Sequence, residues 1–142
     1  MRVRQTSVFM ERALERFKEI TELLNEAGIN IRAHSLVGHS NTPYKILRMI
    51  VDDTDQAVTV LKNRGLSVKT DEVLAVEVDD RTGGLYRILD VLERAGLELK
   101  YTYAAVHCVS TKAAMIFKFE DLERAARVLT KQNIVLFKAE EL

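Results

Sequence analysis

Ala27-Gly28-Ile29-Asn30-Ile31-Arg32-Ala33 decides how this chain is read, because Ala95-Gly96-Leu97-Glu98-Leu99 restates it 68 residues later. Internal repeats are sought before any other pattern. The same displacement, without a gap, lays Val8 on Val76, Ile20 on Ile88, Leu24 on Leu92, Asp53 on Asp121 and Ala57 on Ala125. Val60-Leu61 falls on Val128-Leu129, Ile31 on Leu99, Arg32 on Lys100 and Val68 on Leu136. The matches sit at apolar or turn positions, as two copies of one folding unit require. The copies are assigned to residues 1–70 and 71–142.

Each copy alternates two periodicities. Around the quoted stretch, Gln5 to Met10 alternates as a strand does, and then Leu14, Phe17, Ile20, Leu24 and Ala27 recur every three or four residues. That spacing makes an amphipathic helix, and Gly28 ends it. Ile29 to Val37 and Lys45 to Val51 read as strands forming a hairpin across a loop that holds Pro43. Asp52, Asp53 and Thr54 supply capping chemistry for a second helix with the stripe Ala57, Val60 and Leu61, and Leu66 to Lys69 is the fourth strand. The second copy gives strands at 73–78, 97–106, 113–119 and 134–137, with helices at 84–95 and 122–131.

The expected architecture is therefore α+β. It consists of two ferredoxin-like βαββαβ units in tandem, antiparallel sheets with helices on one face, packed side by side. The joint Lys69-Thr70-Asp71-Glu72 is too short for a free linker. One parity of each strand is apolar, and the other sheet face of the first unit carries Phe9, Arg32, His34, Ile46, Arg48 and Ile50. That mixed face suits a sister unit or a second chain, so a homodimer is expected.

Composition narrows the function. Of 142 residues, 47% are hydrophobic and 30% charged, with 21 basic against 21 acidic side chains. A balanced chain has no net field to draw in nucleic acid or an acidic membrane. No apolar run approaches the roughly 20 residues that span a bilayer, and the lone Cys108 fits a reducing compartment, so the expected location is cytoplasmic. His34, His39, His107 and Cys108 match no standard metal-ligand spacing; neither a metal nor another cofactor is expected. No Ser/His/Asp, Cys/His or carboxylate pair recurs where the fold would unite it, which argues against an enzyme. Tyr101 and Tyr103 share parity with Leu97 and Leu99 and are expected in the core.

Ala-Gly followed by Ile-Asn-Ile, together with Asp79-Asp80-Arg81-Thr82-Gly83-Gly84-Leu85, resembles the ACT domain. In that family βαββαβ modules bind amino acids and related ligands to regulate metabolism. The second stretch is similar to the family's Asp-Arg-Pro-Gly-Gly-Leu turn between first strand and first helix. The resemblance covers the chain twice, and more narrowly the chain is similar to a group of stand-alone tandem ACT proteins without a catalytic domain. It implies a ligand held between the first loop of one module and the second strand of its neighbour. Glycine there lets backbone N–H groups approach a carboxylate. Gly83 and Gly84 keep that option, whereas Glu15 and Arg16 occupy the matching places in the first copy.

By the same resemblance Asn30 takes the place of a ligand-binding amide, and Glu98, its counterpart, could accept from an ammonium group. With pseudo-symmetric packing, Asn30 would face the Asp79–Gly84 loop and Glu98 the Glu11-Arg12 loop. Simpler readings stand beside these. Gly83-Gly84 can be a turn, Asn30 can satisfy a backbone group, and Asp79, Asp80 and Arg81 can be a solvated capping loop. Implied partners are an amino acid or related carboxylate and a metabolic enzyme; the alternative is a ligand-free dimerisation or enzyme-docking scaffold.

Overall fold

The computed structural model describes residues 2–106 and 112–142. Its strands and helices run β1 (Val3–Met10), α1 (Ala13–Glu26), β2 (Ile31–Gly38), β3 (Lys45–Val51), α2 (Thr54–Asn63), β4 (Ser67–Asp79), α3 (Gly84–Arg94), β5 (Leu99–Ala104), β6 (Lys112–Phe119), α4 (Leu122–Lys131) and β7 (Leu136–Phe137). A 3-10 turn, Ala139–Glu141, follows. Two compact units result, one of Arg4–Asp71 and the other of Glu72–Leu142 with the first residues of the chain. The joint is strand, because Lys69 to Glu72 holds neither glycine nor proline to break it. One 13-residue β4 thus replaces the two separate strands expected there.

In the first unit the strand order is β2-β3-β1-β4, and β1 and β2 both pair antiparallel with β3. Val8 and Met10 of β1 and Leu47, Met49 and Val51 of β3 turn toward Ile20 and Leu24 of α1 and Ala57 and Leu61 of α2, which form its core. The second unit repeats the plan as β5-β6-β4-β7. Leu74, Val76, Phe117 and Phe119 meet Ile88, Leu92, Ala125 and Leu129 there. Both phenylalanines face the helices, and their two rings stack at 5.9 Å. Burying a side chain of this size stabilises by about 1.5–3 kcal/mol. Both second helices start on an aspartate whose carboxylate accepts a backbone N–H: Asp53 from Gln56 at 3.1 Å and Asp121 from Arg124 at 3.0 Å.

Two β-bulges correct the expected strand faces. In β2, Ile31 pairs with Val51 but Ala33 pairs with Ile50, so Arg32 is an extra residue. Beyond it His34 lies opposite Met49 and Leu36 opposite Leu47. These residues share the helix face, and the His34 ring sits 5.7 Å from that of Phe17 on α1. His34 is therefore not on the outer face with Phe9, Ile46, Arg48 and Ile50. The equivalent bulge in β5 places Leu99 opposite Phe119 and Tyr101 opposite Lys118, with Lys100 the extra residue. Tyr101 and Tyr103 consequently leave the core side and stack on each other at 6.4 Å on the face away from the helices. A bulge inverts every side chain after it, and periodicity read from Leu97 onward misses that inversion. β4 also departs from the one-sided pattern: Val73, Leu74, Ala75 and Val76 are all buried.

Candidate functional site

The site is built on the connection between β4 and α3. Asp79 ends the strand and Gly84 opens the helix, leaving Asp80, Arg81, Thr82 and Gly83 to reverse the chain. The Arg81 N–H donates to the Asp79 carbonyl at 2.9 Å, and the Gly84 N–H to the Arg81 carbonyl at 3.0 Å. Gly83 caps the helix at φ 88°, in the left-handed region where a Cβ is disfavoured. Gly84 is needed for a different reason: a Cβ there would lie 2.0 Å from the Asp79 carbonyl oxygen. Asp80, Arg81, Thr82 and Leu85 are exposed.

The first unit solves the same connection differently. Its helix α1 begins at Ala13, so Leu14, Glu15 and Arg16 are helical where Thr82, Gly83 and Gly84 stand in the second unit. The Arg16 N–H donates to the Arg12 carbonyl at 3.0 Å, closing that additional turn. Only Glu11 and Arg12 remain as loop, and Arg12 takes the left-handed cap conformation at φ 51° without being glycine. Leu14, expected on the buried stripe, is 85% exposed because the added turn projects past the core. The glycine loop therefore exists once in the chain.

Charge gathers at one end of this loop. The Lys112 ammonium, at the start of β6, donates to the Asp79 carboxylate and lies 3.5 Å from Glu77. Arg81 approaches the other Asp79 oxygen at 3.3 Å. The hydrogen bond from Lys112, and then its charge, hold the Asp79 carboxyl below the ordinary aspartate value against the opposing pull of burial. The same hydrogen bond raises Lys112 above the ordinary lysine value. The pair arises because antiparallel register sets Asp79 directly opposite Lys112, on the same face as Glu77. Sequence reading missed Lys112. Its only sign was a cation at the start of a strand, and register had to choose its partner.

Of the other proposed residues, Asn30 belongs to the first unit and Glu98 to the second, both exposed just before a strand. They do the same backbone work: the Asn30 carbonyl accepts from Asp52 at 3.2 Å, and the Glu98 carbonyl accepts from Glu120 at 3.0 Å. The Asn30 N–H also donates to the Asp52 carboxylate at 3.1 Å. Each thus ties a helix–strand turn to the strand–helix turn beside it. Glu11 and Arg12 are exposed, and Arg12 pairs with Glu15 at 3.7 Å.

A groove of about 560 Å³ between α3 and α4 is lined by Asp90, Val91, Arg94, Ala95, Val128 and Gln132. Its two charged residues pair with each other at 3.0 Å. Among the described residues no group of three or more His, Cys, Asp or Glu side chains could hold a metal ion. His107 and Cys108 lie outside those residues.

The family model of the ACT domain pair matches residues 1–142. The chain belongs to the ACT domain pair family. The expected family and tandem βαββαβ fold are thereby established. This ACT domain pair is similar in structure to protein BT0572 from Bacteroides thetaiotaomicron, at 26% identity and a TM-score of 0.90, over 99% of this chain and 95% of that one. It also shares its fold with the ligand-free regulatory subunit of aspartate kinase from Thermus thermophilus, at 12% identity and a TM-score of 0.63 over 90% of each chain. The regulatory subunit of aspartate kinase from Thermus flavus aligns at 13% identity and 0.62, again over 90% of each. No curated protein matches the sequence. Among the described residues no helix of the ACT pair is long and apolar enough to cross a membrane.

Proposed function

We propose that this ACT domain pair is a regulatory module, without catalytic activity of its own, that binds an amino acid or a related small carboxylate. The observation that carries the reading is the asymmetric β–α connection. One unit keeps the tight Asp80–Gly83 loop with its cluster of charge, while the other has converted that loop into helix. Gly83 keeps the backbone bare where a carboxylate would approach, and Asp79, Asp80, Arg81, Thr82, Gly84 and Leu85 border it. Asn30 remains the proposed amide contact to the ligand, and Glu98, Glu11 and Arg12 form the weaker second set. Control of a metabolic enzyme is the role we extend from the aspartate kinase regulatory subunits that share the fold.

Thermal denaturation with each common amino acid and with aromatic acids tests this reading. One of them should raise the melting temperature with the concentration dependence of RT ln(1 + [L]/Kd). Asn30→Ala and Gly83→Val should weaken that response. A flat response to every compound, with both substitutions silent, would favour the scaffold instead. Sedimentation over a range of concentrations tests the proposed homodimer, and a strict monomer would exclude it.

A further inference from the structure

The Asp79–Lys112 ion pair lines two depressions that lie within one unit. The first, about 250 Å³, is lined by Asp79, Asp80, Arg81 and Lys112. The second, about 140 Å³, has Glu77, Asp79, Gly84, Arg87, Lys112 and Asn133 among its walls. Even the smaller exceeds roughly tenfold the 10–15 Å³ that accommodates one water. Between them the walls carry three carboxylates, Glu77, Asp79 and Asp80, and three cations, Arg81, Arg87 and Lys112. A simple anion or a simple cation entering this balanced set leaves one charge unpaired, whereas a zwitterion leaves none. Lys112 borders both depressions and has three N–H donors, of which Asp79 and Glu77 engage two at most. Its side chain is 43% exposed and that of Asp79 30%, so exchanging one ion-pair partner for another there costs little.

We propose that Lys112 and Asp79 are the ligand-gripping residues of this protein, exchanging their mutual ion pair for the two charges of a free α-amino acid. Lys112 takes the carboxylate and Asp79 the ammonium group, with Arg81 as a second donor beside them. This inference rests on the amino-acid reading above and narrows it, since a carboxylic acid without an ammonium group would not satisfy Asp79.

Calorimetric titration of the full chain with the common α-amino acids, beginning with glycine and alanine, provides the test. Each bound compound is then repeated as its N-acetyl and carboxamide derivatives. At least one free amino acid should bind, and either derivative should bind at least tenfold more weakly. Lys112→Gln and Asp79→Asn should each weaken binding at least tenfold, Lys112→Arg should recover part of the loss, and Lys62→Gln on α2 should change nothing. Circular dichroism identifies any variant that is not folded, in which case Lys112→Arg and Arg81→Gln carry the comparison. A free amino acid bound equally well by Lys112→Gln and Asp79→Asn would overturn this inference and leave the regulatory reading standing. Equal binding of the N-acetyl derivative would do the same. No binding of any amino acid would overturn both.

Discussion

Gly84 and Gly83 are adjacent glycines retained for different reasons, and substitution separates them. At Gly83 a methyl group meets nothing within 4 Å, so Gly83→Ala should cost only the left-handed backbone penalty of about 1–2 kcal/mol. At Gly84 the same methyl overlaps the Asp79 carbonyl, and the main chain must move, so Gly84→Ala should cost about 3 kcal/mol. Urea unfolding of the two variants measures the difference; equal midpoints would contradict the steric account. Thr6 is fully buried, and among the described residues its hydroxyl has no hydrogen-bond partner. Thr6→Val keeps the shape and removes the unpaired group, so it should raise the unfolding free energy by about 1 kcal/mol. At this scale the glycine pair was legible as a turn, because few residues tolerate such backbones. The overlap at Gly84 was not, since it depends on how closely the helix returns to the strand end.

Among the elements, helices were the more readable. Periodicity located α1 to within a residue or two, and α4 over its full length, because an apolar stripe every three or four residues has one regular solution. Yet periodicity cannot say how far a helix projects beyond what it packs on. Leu14→Ala, on the projecting turn of α1, should change stability by less than about 0.5 kcal/mol. Leu24→Ala, ten residues along the same helix and 1% exposed, should cost about 2–5 kcal/mol. Thermal unfolding of the two variants checks the contrast, and a costly Leu14→Ala would show that the first turn is covered. The strands were read less well, because the bulges at Arg32 and Lys100 insert a residue into a period of two. Nothing in the local sequence marks either insertion, yet each decides which face Tyr101, Tyr103 and His34 occupy.

For the molecule as a whole, pH reports the Asp79–Lys112 pair through stability. A carboxyl held below its ordinary value of 3.8 takes up its proton less readily folded than unfolded. Its contribution is present at neutral pH and disappears as pH falls from that value through the lowered one. Lys112, raised above 10.5, contributes below that pH and loses its contribution as pH rises through the raised value. Stability should therefore be level through the neutral range and decline at both ends, and Lys112→Gln should flatten both declines. Urea midpoints across the pH range measure this, and unchanged acid and alkaline limbs in Lys112→Gln would refute it. By itself, the sequence determined the repeat, the order of strands and helices and the stretches that form the two cores, because these follow from periodicity and capping within short segments. Only the tertiary structure decided strand register, the bulges and the added turn that removes one loop, and with them the pairing of Asp79 with Lys112. Residues 33 apart meet only through the pairing of two strands, and that pairing is set by packing across the sheet.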